Sequence, residues 1–329
     1  FLKGGRGTQA CRYLDAALDH LEKAYLNEQA VTLADRALSV PGLLEGTARA
    51  EVLLHKNARL HRLGRRKAQE AVLAEARSLI EAAGERALLV QVEKAASTHL
   101  LTLGRYEESL ERSERALAVA TETGMREEQA GVTLGVGVAC FYLGRFEEAR
   151  AHYERSLVLA RELGDALREG DALGNLGSVS FALGRYAESQ RYHEEHLAIA
   201  REAGDRRSEE LARGNLGYVH FILGRHDEAR EHHERTLAIA REIGDRGAES
   251  TTRSHLGNAL FSLGRFDAAR QHYEESLAIS REIGDPRQEA LAQVGLGNVS
   301  FVLGQGGRAQ ECFEQCLAIA RETGDVRGE

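Results

Sequence analysis

The chain of 329 residues carries 43 basic and 51 acidic side chains, which gives a formal net charge of −8. This balance argues against a general nucleic-acid-binding protein, which would need a basic face. Four irregularly spaced cysteines give no disulfide framework and favour a reducing, cytoplasmic compartment, and no apolar run approaches the roughly 20 residues of a membrane span.

The composition favours helix throughout the chain. Only two prolines are present, whereas alanine, leucine, glutamate and arginine are frequent, and these residues are strong helix formers. Long runs of β-branched residues that alternate with period two are missing, so a sheet is not expected. The sequence therefore predicts an all-α protein.

Seven copies of a 40-residue unit follow one another without an insertion or a deletion, and such a period is typical of repeat architectures. A Leu-Gly pair marks each unit, with its glycine at Gly64, Gly104, Gly144, Gly184, Gly224, Gly264 and Gly304. A second glycine column with the same period comprises Gly84, Gly124, Gly164, Gly204, Gly244, Gly284 and Gly324. The predicted repeats are residues 46–85, 86–125, 126–165, 166–205, 206–245, 246–285 and 286–325.

The two ends of the chain differ from the repeats. Residues 1–45 are predicted to form a degenerate leading helical hairpin, because their pattern resembles the later units only weakly. Residues 326–329 follow a helix-start signal and are predicted to be the stub of a further helix. We therefore expect the sequence to be a piece of a longer protein.

Each unit is predicted to form a helix, a turn and a second helix, as residues 206–245 illustrate. The first helix is expected over residues 206–223, and Gly224 can adopt the left-handed conformation that ends a helix. The second helix is expected to reach about Ile243, where Gly244 ends it. Asp245 can then cap the following helix by accepting its free N–H groups.

Columns of equivalent residues predict how the helices pack. Glycines recur in the middle of the first helices, where each costs about 1 kcal/mol relative to alanine: Gly137, Gly177, Gly217, Gly257 and Gly297. A small residue follows each of them, at Ala149, Ser189, Ala229, Ala269 and Ala309. Small residues opposite small residues would let the two helices approach closely. A buried leucine column is also expected, at Leu117, Leu157, Leu197, Leu237, Leu277 and Leu317.

These columns resemble the tetratricopeptide repeat (TPR). In residues 166–205 the matching residues are Leu176, Gly177, Phe181, Gly184, Tyr186, Ser189, His193, His196 and Leu197. The usual period of that family is about 34 residues, and the longer period is similar to the variety found in kinesin light chains and many bacterial regulators. The resemblance implies an α-α solenoid, a right-handed superhelix of antiparallel helix pairs whose first helices line a concave groove.

The segment "RYHEEHLAIA" raises the question of a metal or catalytic site. A zincin helix carries histidines at i and i+4 around a glutamate base, whereas His193 and His196 are separated by three positions. Two ligands also fall short of a zinc site. In the sister repeats His193 aligns with aromatic residues and His196 with Ser, Thr or Cys, so both are predicted to pack in the core. His196 is larger than its column, and a local adjustment is expected around it.

Other histidines and cysteines also fall into columns. His152, His232 and His272 share a position that is predicted to be half-exposed. Cys312 and Cys316 lie one helical turn apart, which would suffice for weak metal or redox chemistry. Because Cys316 aligns with the small packing column, a buried inert thiol is the favoured interpretation.

The TPR resemblance assigns some first-helix positions to the concave groove. The candidate peptide-binding residues are Lys94, Tyr142, Asn175, Asn215, Tyr218, His255, Asn258 and Asn298. The recurrent amides can pair with both the N–H and the C=O of an extended backbone. Basic groups are scarce at these positions, so a carboxylate-clamp ligand is not favoured.

The main functional interpretation is a non-catalytic scaffold, without a cofactor or metal, that binds a protein or peptide segment in the groove and forms a regulatory part of a larger protein. Another domain of the same full-length chain is among the candidate partners, whereas nucleic acid and membrane are not expected. The oligomeric state stays open. The alternative is a ligand- or peptide-sensing arm of a bacterial signalling switch, similar to the sensor arms of STAND-type ATPases. A metal-dependent hydrolase built on His193, Glu194 and His196 is the remote alternative.

Overall fold

The structure is a computed structural model that describes residues 13, 14, 16–21, 24 and 26–323. Within these residues every regular element is a helix, as predicted. The helices are α1 (Asn27–Leu38), α2 (Gly46–Arg62), α3 (Arg66–Ala83), α4 (Arg86–Thr102), α5 (Tyr106–Glu122), α6 (Arg126–Tyr142), α7 (Phe146–Leu163), α8 (Ala166–Ala182), α9 (Tyr186–Ala203), α10 (Arg206–Ile222), α11 (His226–Ile243), α12 (Arg246–Ser262), α13 (Phe266–Ile283), α14 (Pro286–Val302) and α15 (Gly306–Thr323). Consecutive helices form antiparallel pairs, and each 40-residue period from residue 46 onward carries one pair.

The chain divides into two compact units, the first ending at Arg168 and the second beginning at Glu169. The division falls within α8, three residues after its start. In the first unit, Leu14 and Leu18 pack with Ala30 and Ala34 of α1. Most of the predicted leading hairpin before residue 26, together with Gly324, Asp325 and the predicted stub at residues 326–329, lies outside the described residues.

The predicted turns and caps are confirmed by the backbone. The glycines of both periodic columns that lie within residues 64–304 adopt left-handed conformations, with φ between 67° and 75°. Only glycine adopts this region at low cost, which explains its recurrence where a helix must end. At the start of α12 the Asp245 carboxylate accepts the Ala248 N–H at 2.9 Å. Asp205 and Asp285 cap α10 and α14 in the same way.

An aromatic or imidazole ring fills the space above each mid-helix glycine. A Cβ atom added at Gly177 would lie 2.4 Å from Cε1 of His193, and one added at Gly217 would lie 2.5 Å from Cε1 of His233. The same arrangement recurs for Gly137 and Tyr153, for Gly257 and Tyr273, and for Gly297 and Phe313. The small residues of the facing column are buried, as expected. The nearest atoms to each glycine nevertheless belong to a ring, so the glycines are needed chiefly to admit that ring.

The prediction of a buried leucine column is only partly correct. Leu157, Leu197 and Leu237 are buried, whereas Leu117, Leu277 and Leu317 are half-buried. Leu117 and Leu277 pack at the edge of their hydrophobic clusters. Leu317 lies on α15, and no later helix among the described residues covers that face.

Arginines hold the buried carboxylates of the first-helix starts in place. Glu249 of α12 accepts hydrogen bonds from Arg241 at 3.0 Å, Arg246 at 2.5 Å and Arg253 at 3.1 Å. One repeat earlier, Glu209 has the equivalent partners Arg201, Arg206 and Arg213. A buried carboxylate is tolerated when charged donors replace the lost water, so these clusters tie adjacent helices together.

Candidate functional site

Two predicted groove residues belong to the first unit, and they lie in different surroundings. Lys94 lines a hollow of about 510 Å³ between α2, α4 and α6, and its Nζ is 3.7 Å from Oε2 of Glu128. Tyr142 is 56% exposed and stacks on Tyr106, with ring centroids 5.1 Å apart. Tyr142 does not line the hollow that contains Lys94.

In the second unit, five predicted residues line one groove of about 940 Å³. These residues are Asn215, Tyr218, His255, Asn258 and Asn298. They come from α10, α12 and α14, which are the first helices of three successive repeats. We call this surface the second-unit groove. Asn175, from α8, does not line it.

The four predicted amide side chains differ in how many hydrogen bonds they already form within the protein. Asn175 donates from Nδ2 to the carbonyl oxygen of Asp171 at 2.8 Å, within its own helix. Asn258 accepts the hydroxyl of Tyr273 on Oδ1 at 2.7 Å, which leaves its N–H donors available. Asn215 and Asn298 make no side-chain hydrogen bond within the part of the chain that the structure describes. With respect to the described residues, every donor and acceptor in these two amides is free for a ligand.

Rings form a continuous row beside these amides. Tyr218 contacts Phe181 on one side, with centroids 5.0 Å apart, and His255 on the other, at 5.8 Å. His255 in turn contacts the buried ring of His233 at 5.1 Å. Tyr218 is 42% exposed, so the row offers an apolar face to the groove. Phe181 was not among the predicted residues, although its aromatic column was visible in the sequence.

The groove also contains charged residues that were not predicted as site residues. They are Arg207, Glu210, Asp245, Asp285 and Arg287. Arg207 is hydrogen-bonded to Asp245, which also caps α12. Glu210 could have been noticed in the sequence, because its equivalents in the other repeats are small or apolar: Ala50, Val90, Ala130, Gly170, Ser250 and Ala290.

The histidines of "RYHEEHLAIA" lie in the core, as predicted. His193 and His196 are both buried. The expected adjustment around His196 is made by two glycines on the facing helix, since a Cβ at Gly174 would lie 3.1 Å from Nδ1 of His196 and one at Gly170 would lie 3.4 Å from Cδ2. Among the described residues no group of three or more His, Cys, Asp or Glu side chains is arranged to hold a metal ion.

The burial of two imidazoles predicts a pH dependence of stability. Desolvation lowers the pKa of His193 to about 4 and that of His233 to about 3, with a smaller contribution from nearby histidines. An unfolded histidine titrates near 6.5, so between that pH and the folded pKa only the unfolded state gains the proton. Stability should therefore fall as the pH falls below about 6.5, by up to about 1.4 kcal/mol per pH unit for each histidine.

Urea titrations at pH 7 and pH 5 would measure this effect. The variant His233→Tyr restores the residue found at the equivalent Tyr153 and Tyr273 and should reduce the loss of stability between the two pH values. His55, a half-buried histidine in the first unit, offers the control variant His55→Gln. If His233→Tyr and the wild type lost equal stability between pH 7 and pH 5, the buried imidazole of His233 would not be a cause of the acid sensitivity.

The predictions for the other histidines are confirmed, whereas those for the two cysteines are confirmed only in part. His152, His232 and His272 are half-buried, as expected. Cys312 is buried, but Cys316 is only half-buried, so the prediction of a buried thiol at Cys316 is wrong. Both residues lie on α15, whose outer face is not covered by another described helix. Burial raises the pKa of both thiols, which makes them poor nucleophiles.

Stacked helix pairs with a groove along their first helices define the class of helical-repeat proteins. A family model described as tetratricopeptide repeat matches residues 86–157, 128–202 and 208–282. These segments cover more than half of the chain, and the chain therefore belongs to the tetratricopeptide repeat family. A second model, for anaphase-promoting complex subunit 5, matches residues 265–328. No curated protein matches the chain.

Solved structures share this fold at low sequence identity. A STAND protein with a tetratricopeptide repeat sensor from Pyrococcus horikoshii is 13% identical, with a TM-score of 0.74 over 98% of this chain and 49% of that one. A Rap protein complexed with competence and sporulation factor is 14% identical, with a TM-score of 0.65 over 95% and 88% of the two chains. The quorum sensor NprR from B. thuringiensis is 13% identical, with a TM-score of 0.61 over 94% and 97%. Such identities establish the fold alone.

No helix within residues 26–323, or in the short described segments before them, combines the length and the apolar character that a membrane crossing requires.

Proposed function

We propose that the chain is a non-catalytic interaction module whose second-unit groove binds an extended peptide segment of a protein. The observation that carries this proposal is the pair of unengaged amides, Asn215 and Asn298, in one groove with the exposed ring of Tyr218. An amide can accept a backbone N–H and donate to a backbone C=O at once. Such contacts are independent of peptide sequence and would fix the direction and register of an extended chain.

The build of the groove favours this kind of ligand. The candidate residues lie on helices whose neighbouring glycines and rings interlock, so few of them must be ordered when a peptide binds. Rigid receptors save that part of the entropic cost of association. The groove is a hollow lined by amide and charged groups beside one row of rings, which suits a peptide better than a large flat partner surface.

A second candidate function is a sensing arm in a larger regulatory protein. It is favoured by the fold similarity to the repeat sensor of a STAND protein, about half of whose length this chain spans. It is also favoured by the similarity to a Rap protein complexed with a peptide factor. In this version the same groove binds the peptide, and the occupied state is transmitted to another domain of the full-length chain.

Selection from a displayed library of random decapeptides tests the proposal. Selected peptides should bind the wild type, and the double variant Asn215→Ala, Asn298→Ala should bind them at least about tenfold more weakly, because two backbone-pairing groups are lost. Gln271→Ala together with Gln310→Ala is the matched control, since both glutamines are exposed on second helices and lie outside the groove. Failure to enrich any peptide, or equal binding by the amide double variant, would contradict the proposal.

A further inference from the structure

Glu210 is a buried carboxylate that lines the second-unit groove without a partner. It lies on the first turns of α10 and is only 6% exposed. Its Oε2 atom is buried and accepts no hydrogen bond, and neither carboxylate oxygen forms an ion pair within the described residues. Leaving a buried charged acceptor unsatisfied is costly.

The other buried carboxylates of the described chain are paired with arginines. Glu93 lies within 3.5 Å of three guanidinium groups, and Glu209 and Glu249 each accept hydrogen bonds from three arginines. Glu210 is adjacent in sequence to Glu209, yet it points into the groove and receives none of these donors. This chain therefore supplies arginines wherever a buried glutamate is structural, and Glu210 is the exception.

Packing does not require a carboxylate at this position. The equivalent residue is alanine in three of the other repeats, at Ala50, Ala130 and Ala290. Two polar groups that line the same groove as Glu210 are engaged elsewhere. The Thr236 hydroxyl donates to the carbonyl oxygen of His232 at 3.0 Å, and the guanidinium of Arg207 is hydrogen-bonded to Asp245.

The electrostatic surroundings make Glu210 ready to accept a cation. Burial and, to a smaller extent, the nearby carboxylate of Asp245 raise the pKa of Glu210, while Arg207 opposes them. A positively charged ligand group would restore the lost solvation and favour the ionised form. Arginine suits this role better than lysine, because its guanidinium is more weakly hydrated and can bind a carboxylate with two hydrogen bonds.

We propose that Glu210 receives an arginine side chain of the peptide bound in the second-unit groove, so that the ligand class is an extended peptide with one basic anchor residue. This inference rests on the proposed function and adds to it a preference for one type of peptide side chain. The amides Asn215 and Asn298 would then hold the peptide backbone, and Glu210 would select the side chain. A glutamate kept at a cost to stability is expected where binding requires it.

Fluorescein-labelled hexapeptide mixtures test this assignment. In each mixture one position is fixed as Arg, Lys, Gln or Glu, and the other positions are randomised. For the wild type, anisotropy titrations should show that at one fixed position the Arg mixture binds at least about tenfold more tightly than the Gln mixture, as expected for a partly desolvated charge pair. The Glu mixture should bind most weakly at that position.

Two variants of Glu210 separate binding from structure. Glu210→Gln should reduce the preference for Arg over Gln to within about threefold, and Glu210→Ala should do the same while raising the Tm, because an unpaired buried charge is removed. Glu202→Gln is the control, since Glu202 is exposed on the second helix α9 and its replacement removes the same charge. It should leave the preference intact.

The outcomes distinguish the two proposals. Peptide binding without a basic preference, or a preference that persists in Glu210→Gln, would overturn the role of Glu210 and leave the proposed function standing. A lowered Tm in Glu210→Ala with unchanged peptide selectivity would assign Glu210 a structural role instead. If no mixture binds the wild type, both the proposed function and the role of Glu210 are wrong.

Discussion

The variant Gly217→Ala is expected to be less stable than the wild type by about 1 kcal/mol, although alanine is intrinsically the better helix former. The added methyl group would lie 2.5 to 2.7 Å from three ring atoms of His233. His233 is 1% exposed, and its ring contacts His255, so it has little room to move. Overpacking of this kind costs about 1–3 kcal/mol and outweighs the gain of about 1 kcal/mol in helix propensity.

Gly307→Ala is the matched control for this experiment. Gly307 also lies in a helix, α15, but a Cβ there meets nothing within 4 Å. Because no clash arises, the substitution changes only the helix propensity and the conformational entropy of the unfolded chain. We therefore expect the free energy of unfolding to increase by about 0.5 kcal/mol. Urea unfolding followed by circular dichroism would measure both variants. Gly217→Ala unfolding at the wild-type denaturant concentration would contradict the account of ring-to-glycine packing.

The variant Glu249→Gln should lose about 2–3 kcal/mol of stability. Glu249 and Arg253 are both buried. Neutralising Glu249 removes one of the acidic partners of the Arg253 guanidinium, which is shielded from water. Removing one partner from a buried ion pair usually costs 3–5 kcal/mol, and the exposure of Arg241 and Arg246 reduces this figure through solvent screening.

A control with the same chemistry is present one helix away. Glu282 is exposed and is hydrogen-bonded to the same Arg246 at 2.5 Å, so Glu282→Gln should change stability far less than Glu249→Gln, because solvent screens an exposed pair. The pH dependence gives a second check. Desolvation raises the pKa of Glu249, but the hydrogen bonds from Arg241, Arg246 and Arg253 outweigh it and lower the pKa overall. The stabilisation is therefore present above the unfolded pKa and is lost as the pH falls through the folded one.

The difference between Glu249→Gln and the wild type should consequently shrink in strongly acidic solution. An equal effect of the Glu249 and Glu282 substitutions at pH 7 would show that the buried cluster does not stabilise the fold.

Much of the helical framework could be predicted because its determinants are local and repeated. The first helix of residues 206–245 was expected over residues 206–223 and is observed at Arg206–Ile222. The left-handed glycine after it and the Asp245 cap were also expected, since each depends on one residue and its immediate neighbours. Because the same helix-ending and helix-capping residues recur in seven aligned repeats, the helix boundaries could be predicted more clearly than from one repeat alone.

The packing partners were harder to predict, because they depend on which side chains meet in three dimensions. Gly177 was expected to face a small residue, whereas the ring of His193 covers it. His196 is larger than the other residues of its column, and Gly170 and Gly174 on the facing helix make room for its ring. Aligning the repeats shows which type of residue recurs at each position. It does not show which positions of the two helices contact each other in the folded repeat.

The candidate site was predicted in part. The recurrent amides marked the face that forms the groove, but their hydrogen-bonding states could not be known from the sequence. Asn175 is engaged within its own helix, and Asn215 is not. Glu210 differs from the small or apolar residues of its column, but that difference alone does not show how its carboxylate is placed. Its significance comes from burial and from the lack of a partner, and both are properties of the folded chain.

Mapping the bound peptide by photo-cross-linking tests the central claim most directly. A peptide selected by display would carry a benzophenone group at successive positions, and the cross-linked protein residues would be identified by mass spectrometry. We predict cross-links to α10, α12 and α14, close to Asn215, Tyr218 and Asn298. Cross-links concentrated on the second helices α11 and α13, or in the first unit, would contradict peptide binding in the second-unit groove.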